Sequence, residues 1–169
     1  MYRSFVNSAG TITTEAVPSD HQAGAGETLF SSPPSDEQIA EAFPAASLAA
    51  AIARRCDEVD AVRDAKFDGG MGYGGKVLQL RDIDQQRIIA AGAQAKFAVL
   101  TNAAWPAEFA WIMADNSTLP LDKAAMSTMA DAAAAQVQAW IFAGHGHKQT
   151  LRALTDIAAV AAHDISTGW

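Results

Sequence analysis

The sequence predicts an α+β fold, mainly helical, with a body ordered helix–hairpin–helix–hairpin–helix–helix and an extended N-terminal β-hairpin arm. Three observations carry this expectation. Apolar side chains recur at helical spacing along long Ala-rich stretches. Short β-branched or aromatic runs flank glycine- and asparagine-bearing turns. A Pro-, Gly- and Ser-rich stretch, residues 18–35, follows the first of these turns and reads as a linker. At 169 residues the chain fits one domain with an appended arm: an N-terminal hairpin arm and linker over 1–44, then a compact helical C-terminal domain over 45–169.

The arm begins with Tyr2-Arg-Ser-Phe-Val, turns through Asn7-Ser-Ala-Gly10, and returns along Thr11 to Val17. An isolated hairpin is marginal in water, so this one requires a partner surface. The first 44 residues hold six acidic groups against one arginine, which makes the arm acidic and sets it apart from the body. From Ala45 to Ala65, Leu48, Ile52, Cys56, Val59 and Val62 form one apolar stripe, with Pro44 suited to an early helical position and Arg54, Arg55 and Asp57 on the wet face. A Gly-rich turn then leads into the strand Lys76-Val-Leu-Gln-Leu80. Asp82 or Asp84 caps a second helix whose apolar positions Ile89, Ala93, Phe97 and Leu100 share a face, and residues Asn102 to Pro106 break it. Phe109 to Met113 and Thr118 to Leu121 flank a turn at Asp115-Asn116-Ser117. Asp122 caps a third helix with Met126, Met129, Ala133, Val137, Trp140 and Ile141 inward. Gly144-His-Gly-His147 is expected as a corner, and Leu151, Leu154, Ile157, Ala158 and Ala161 line a fourth helix.

Composition narrows the function. Half the residues are apolar, 18% are charged, and the net charge of −7 opposes a nucleic-acid partner, which needs a basic face. Cys56, the lone cysteine, rules out an internal disulfide and reads as a small buried hydrophobe. The N-terminus carries no basic region followed by an apolar run, and no apolar stretch reaches the ~20 residues a bilayer requires, so neither export nor membrane insertion is expected.

Gly70-Met-Gly-Tyr-Gly-Gly75-Lys76 places its glycines and lysine as a phosphate-binding loop does. Val77 stands where that loop needs a hydroxyl, and a strand follows where it needs a helix N-terminus, so a hairpin turn is the better reading. His145 and His147 lack a third ligand at metal-site spacing. Pairs such as Asp57/Asp60 and Asp82/Asp84 read as solvated helix ends, and nothing sets two carboxylates in one cleft. No catalytic residue, metal or cofactor is expected. Trp105, Trp111 and Trp140 read as core anchors, and Trp169 as a ring folded back onto the helices or onto a neighbouring subunit.

In order along residues 48–169 come Asp68-Gly-Gly leading to Gly74-Gly75-Lys-Val-Leu-Gln-Leu, then Arg81-Asp-Ile-Asp-Gln-Gln-Arg, then Trp111 to Asp115-Asn-Ser117. Leu119-Pro-Leu-Asp enters a helix ending Val137-Gln-Ala-Trp140, and the series closes on Asp164-Ile-Ser-Thr-Gly-Trp169. In this ordered series the body resembles an uncharacterised C-terminal domain of tail and tail-fibre proteins of tailed bacteriophages. Pro120 in the strand, and the absence of a basic residue after the strand tryptophan, depart from that pattern. The resemblance implies a non-enzymatic structural component of a phage tail, baseplate or tail fibre, made in the bacterial host cytoplasm and located in the virion. Its implied partners are other tail or baseplate proteins and further copies of itself, with no nucleic acid and no membrane. The alternative it leaves open is a tail-fibre assembly chaperone absent from the finished particle. Tyr2 and Phe5 on the arm, with Trp169, are the candidate interaction residues.

Overall fold

The helix–hairpin–helix–hairpin–helix–helix order expected of the body is present in the computed structural model, which describes residues 1–169. The elements are β1 (Tyr2–Val6), β2 (Ile12–Ala16), β3 (Glu27–Phe30), α1 (Asp36–Ala42), α2 (Pro44–Gly69), β4 (Met71–Tyr73) and β5 (Lys76–Leu78). They continue with α3 (Asp82–Thr101), β6 (Ala110–Ile112), β7 (Thr118–Pro120), α4 (Lys123–Ala153) and α5 (Ile157–Ala162), so the fold is α+β and mainly helical. Two compact units result: a sheet unit of residues 1–58 with 148–164, and a hairpin unit of residues 59–147 with 165–169.

In the sheet unit, β1 lies between β2 and β3, antiparallel to both. The Asn7 carboxamide accepts from the amides of Ala9 and Thr11 at 3.0 Å, and Gly10 takes a φ of +77°, which sets the β1–β2 turn. Tyr2, Ser4 and Val6 point to one face and Arg3 and Phe5 to the other. Ser4 is fully buried, its hydroxyl 2.7 Å from that of Thr14. The partner the first hairpin required comes from inside the stretch expected to be linker. Glu27-Thr-Leu-Phe30 has strand-forming side chains, and pairing it to β1 satisfies an edge that would otherwise stay open. The last residue of this stretch, Ser35, is the N-cap of helix α1. Ser35 and Gln38 form a reciprocal capping box at its start, which residues 35–38 announce and the composition of the linker masks.

Helix α2 opens at Pro44, as the proline suggests, and buries Ala51 and Cys56 in this unit. Arg55 is not on the wet face: it pairs with Glu58 and donates to the carbonyl of His163 at 2.7 Å. Residues 144–147 form no corner, because α4 runs unbroken to Ala153. The chain breaks instead at Leu154–Asp156, where the Asp156 carboxylate accepts from the amide of Ala159 and starts α5.

The hairpin unit holds the main core. Gly74 and Gly75, both at positive φ, form a two-residue turn between β4 and β5. Gly70 ends α2 at a φ of +72°, and a Cβ there would lie 2.3 Å from the Leu78 carbonyl oxygen, so only glycine fits. The second hairpin joins the first through the Ala114 amide to the Val77 carbonyl at 3.0 Å. Leu78, Leu80, Ile88, Met113, Met126 and Met129 fill the interior, with Trp140 and Phe67 packed 5.8 Å apart.

Two expectations for the helices are corrected here. Arg81, not an aspartate, occupies the N-cap of α3; Asp84 lies a turn inside, buried, with its carboxylate 2.8 Å from the Arg81 guanidinium. On α4 the inward stripe runs Met126, Met129, Ala133 and Trp140 as expected, but Ile141 is half exposed. One residue past Trp140 it sits about 100° around the helix, off the core face. Asp122 does cap α4, accepting from the Ala125 amide at 2.8 Å.

Candidate interaction surface

Lys76 and Asp115, two residues that could carry chemistry, are engaged in holding the fold. Lys76 of the glycine-rich loop donates to the Ser117 hydroxyl at 2.6 Å and to the Thr118 carbonyl at 3.0 Å, tying the two hairpins together. Strand β5 follows where a phosphate loop needs a helix. The neighbouring turn is stiffened by Asp115, which accepts from both the hydroxyl and the amide of Ser117; these bonds hold its carboxyl below the usual carboxylate range. His145 and His147 both lie inside α4, and two residues of helix set them roughly 200° apart, so they cannot share an ion. No group of three His, Cys, Asp or Glu side chains is placed to hold a metal.

The three candidate interaction residues fall in different units. Tyr2 and Phe5 are half-buried on opposite faces of β1. Phe5 lies under the Arg3 guanidinium at 5.2 Å, and Arg3 in turn bridges Glu15 and Glu27. Glu27 also accepts from the Gly24 amide at 3.0 Å and faces His21 at 3.2 Å; these bonds lower its pKa, while the Glu15 contact raises that of Arg3. In the hairpin unit the Trp169 indole N–H donates to the Ile165 carbonyl at 2.8 Å. Its ring stacks 5.3 Å from His147, lies under Lys66 at 5.5 Å, and covers Gly144. Gly144 is thus a helical residue in ordinary contact with the ring above it, and α4 continues through it.

What sequence reasoning missed is a surface. Residues Ile88, Gly92, Ala95 and Ala98 of α3 face the core, while the apolar stripe on the other side is exposed. Ile89 is 65%, Phe97 64% and Leu100 86% accessible. The core side is made of small residues because α3 and α4 approach closely: a Cβ on Gly92 would fall 2.4 Å from that of Ala130. Beside Ile89, between α3 and α4, a groove of about 360 Å³ is lined by Leu80, Ile88, Ala133, Val137 and Ile141. The signal was present as a helix apolar on two sides, of which the core covers one.

An α+β, mainly helical protein with an exposed apolar helix face is the class that fold and surface define. No helix is long and apolar enough to cross a membrane. The chain belongs to the family described as Domain of unknown function (DUF4376), whose model matches residues 50–167. No curated protein and no solved structure matches it.

Proposed function

We propose that this chain is a structural component of a bacteriophage tail, as a tail, baseplate or tail-fibre protein that acts through protein–protein contacts with other tail proteins and with copies of itself. The ordered motifs over residues 48–169 support the tail assignment, and they span nearly the same residues as the family match. The observation that carries the mode of action is the exposed apolar face of α3, since a contiguous apolar surface rimmed by polar residues marks a protein interaction site. On this reading the protein resides in the virion and catalyses nothing.

Mass spectrometry of purified particles tests it, with stoichiometric presence as the expected result. Absence from particles, with fibres failing to attach when the gene is deleted, selects the assembly chaperone instead. Absence with normal assembly overturns both. A cell-wall lysis assay, run with and without added zinc, is expected to show no activity.

A further inference from the structure

We propose that the outer face of α3 is a self-association surface on which a second copy of this chain packs antiparallel, about a two-fold axis passing beside Ala93. The proposal rests on the self-association in the functional reading and is independent of the tail assignment.

The face is self-complementary. Ile89 and the groove beside it lie toward one end, and Phe97 and Leu100 protrude toward the other. Ile89 and Phe97 are ~12 Å apart along the helix, at ~1.5 Å per residue. Ala93 is midway between them, on the same exposed side. Turning a second copy through a half-rotation about Ala93 sets Phe97 of each chain against Ile89 and the groove of the other. A two-fold interface requires this reciprocity, in which the same patch serves both partners. The residue on the axis has a single methyl, which permits the ~8–10 Å approach of packed helices.

Charge selects a second copy over a charged partner. Between Arg87 and Glu108 the only Asp, Glu, Lys or Arg is Lys96, and between Asp131 and Lys148 there is none. Lys96 and Asp131 neutralise each other. Two chains of net charge −7 can therefore meet here without bringing like charges together. The area is also sufficient. Ile89, Phe97, Leu100 and Ile141 together expose on the order of 500 Å². With the alanines and glutamine stems around them the face approaches the ~800 Å² per partner of a standard interface.

Sedimentation velocity on the full chain tests the proposal at concentrations up to roughly 100 μM, since interfaces of this area reach only micromolar affinity when not optimised. The wild type is expected to sediment as a dimer. Phe97→Glu and Ile89→Lys, each at an exposed position, are expected to weaken dimerisation ~100-fold or more with helix content by circular dichroism unchanged. The double variant I89K/F97E sets opposite charges across the antiparallel register and is expected to recover the dimer. Ala93→Cys, in a Cys56→Ala background, is expected to form a disulfide with its own copy on mild oxidation, because the two introduced thiols meet at the axis. A monomeric wild type, a dimer that Phe97→Glu leaves intact, or an Ala93→Cys variant that does not cross-link would each overturn the proposal. Particles that contain a monomeric protein would refute this face and keep the tail reading. A dimer absent from particles would do the reverse.

Discussion

Replacing Gly92 with alanine tests the close approach of α3 to α4 in the hairpin unit. The added Cβ would lie 2.4 Å from the Cβ of Ala130, against the ~3.5–4.0 Å of an ordinary carbon contact. Ala130 has no rotamer with which to yield, so α3 must move away from α4 by more than ~1 Å. Overpacking of this kind costs about 1–3 kcal/mol, while alanine in place of a helical glycine returns about 1 kcal/mol. The net loss expected for Gly92→Ala is therefore ~0–2 kcal/mol. Ala130→Gly alone loses about 1 kcal/mol through helix propensity. In the double variant the propensity changes cancel and the overlap disappears, so its stability is expected to return to within ~0.5 kcal/mol of wild type. Urea denaturation followed by circular dichroism reads all four proteins. Additivity of the two single changes within ~0.5 kcal/mol would refute the reasoning, because residues in contact must couple.

Three further outcomes are expected. Removing the Trp169 indole by Trp169→Ala, which leaves the Ile165 carbonyl and the Gly144 surface uncovered, should destabilise the protein by ~1–3 kcal/mol, a truncation of a half-buried ring costing less than that of a buried one; an unchanged denaturation midpoint would mean the ring closes nothing. Lys76→Met should cost ~1–2 kcal/mol by deleting both bonds that tie the hairpins, and hydrogen exchange at the amides of β6 and β7 should quicken, whereas unaltered exchange would count against the tie. The sheet unit should loosen in acid. The Glu27 carboxyl is held below its ordinary value of 4.5, so its contribution is complete above that pH and is lost as the pH falls through the lower folded value. Amide exchange of β3 against pH checks this, and Glu27→Gln should abolish that acid dependence; a profile the substitution leaves unchanged would assign it to another group.

Features that depend on a few neighbouring residues were legible without coordinates. The Asn7–Gly10 turn, the Gly74-Gly75 turn and the Asp115–Ser117 turn are each set by side-chain or φ preferences within four residues. Pro44 and Asp122 mark helix starts for the same reason. Strand β3 escaped because its residues are ordinary until β1 offers an unpaired edge. The exposed face of α3 escaped for a different reason: α3 is apolar on two sides, and periodicity assigns both to a stripe without saying which one meets the core.

The chain alone therefore determined the order of elements in the body, their turns and the starts of α2 and α4, and the engagement of its apolar periodicity in a helical fold, because these are local choices of backbone conformation. Tertiary structure decided which apolar face is covered and where α4 ends. The small side chains of Gly92 and Ala130 let α3 and α4 close on each other and turned Ile89, Phe97 and Leu100 outward. The Trp169 ring over Gly144 accompanies a glycine that stays helical where local preference favoured a stop. Both outcomes depend on distances between residues far apart in sequence, and no local pattern encodes such distances.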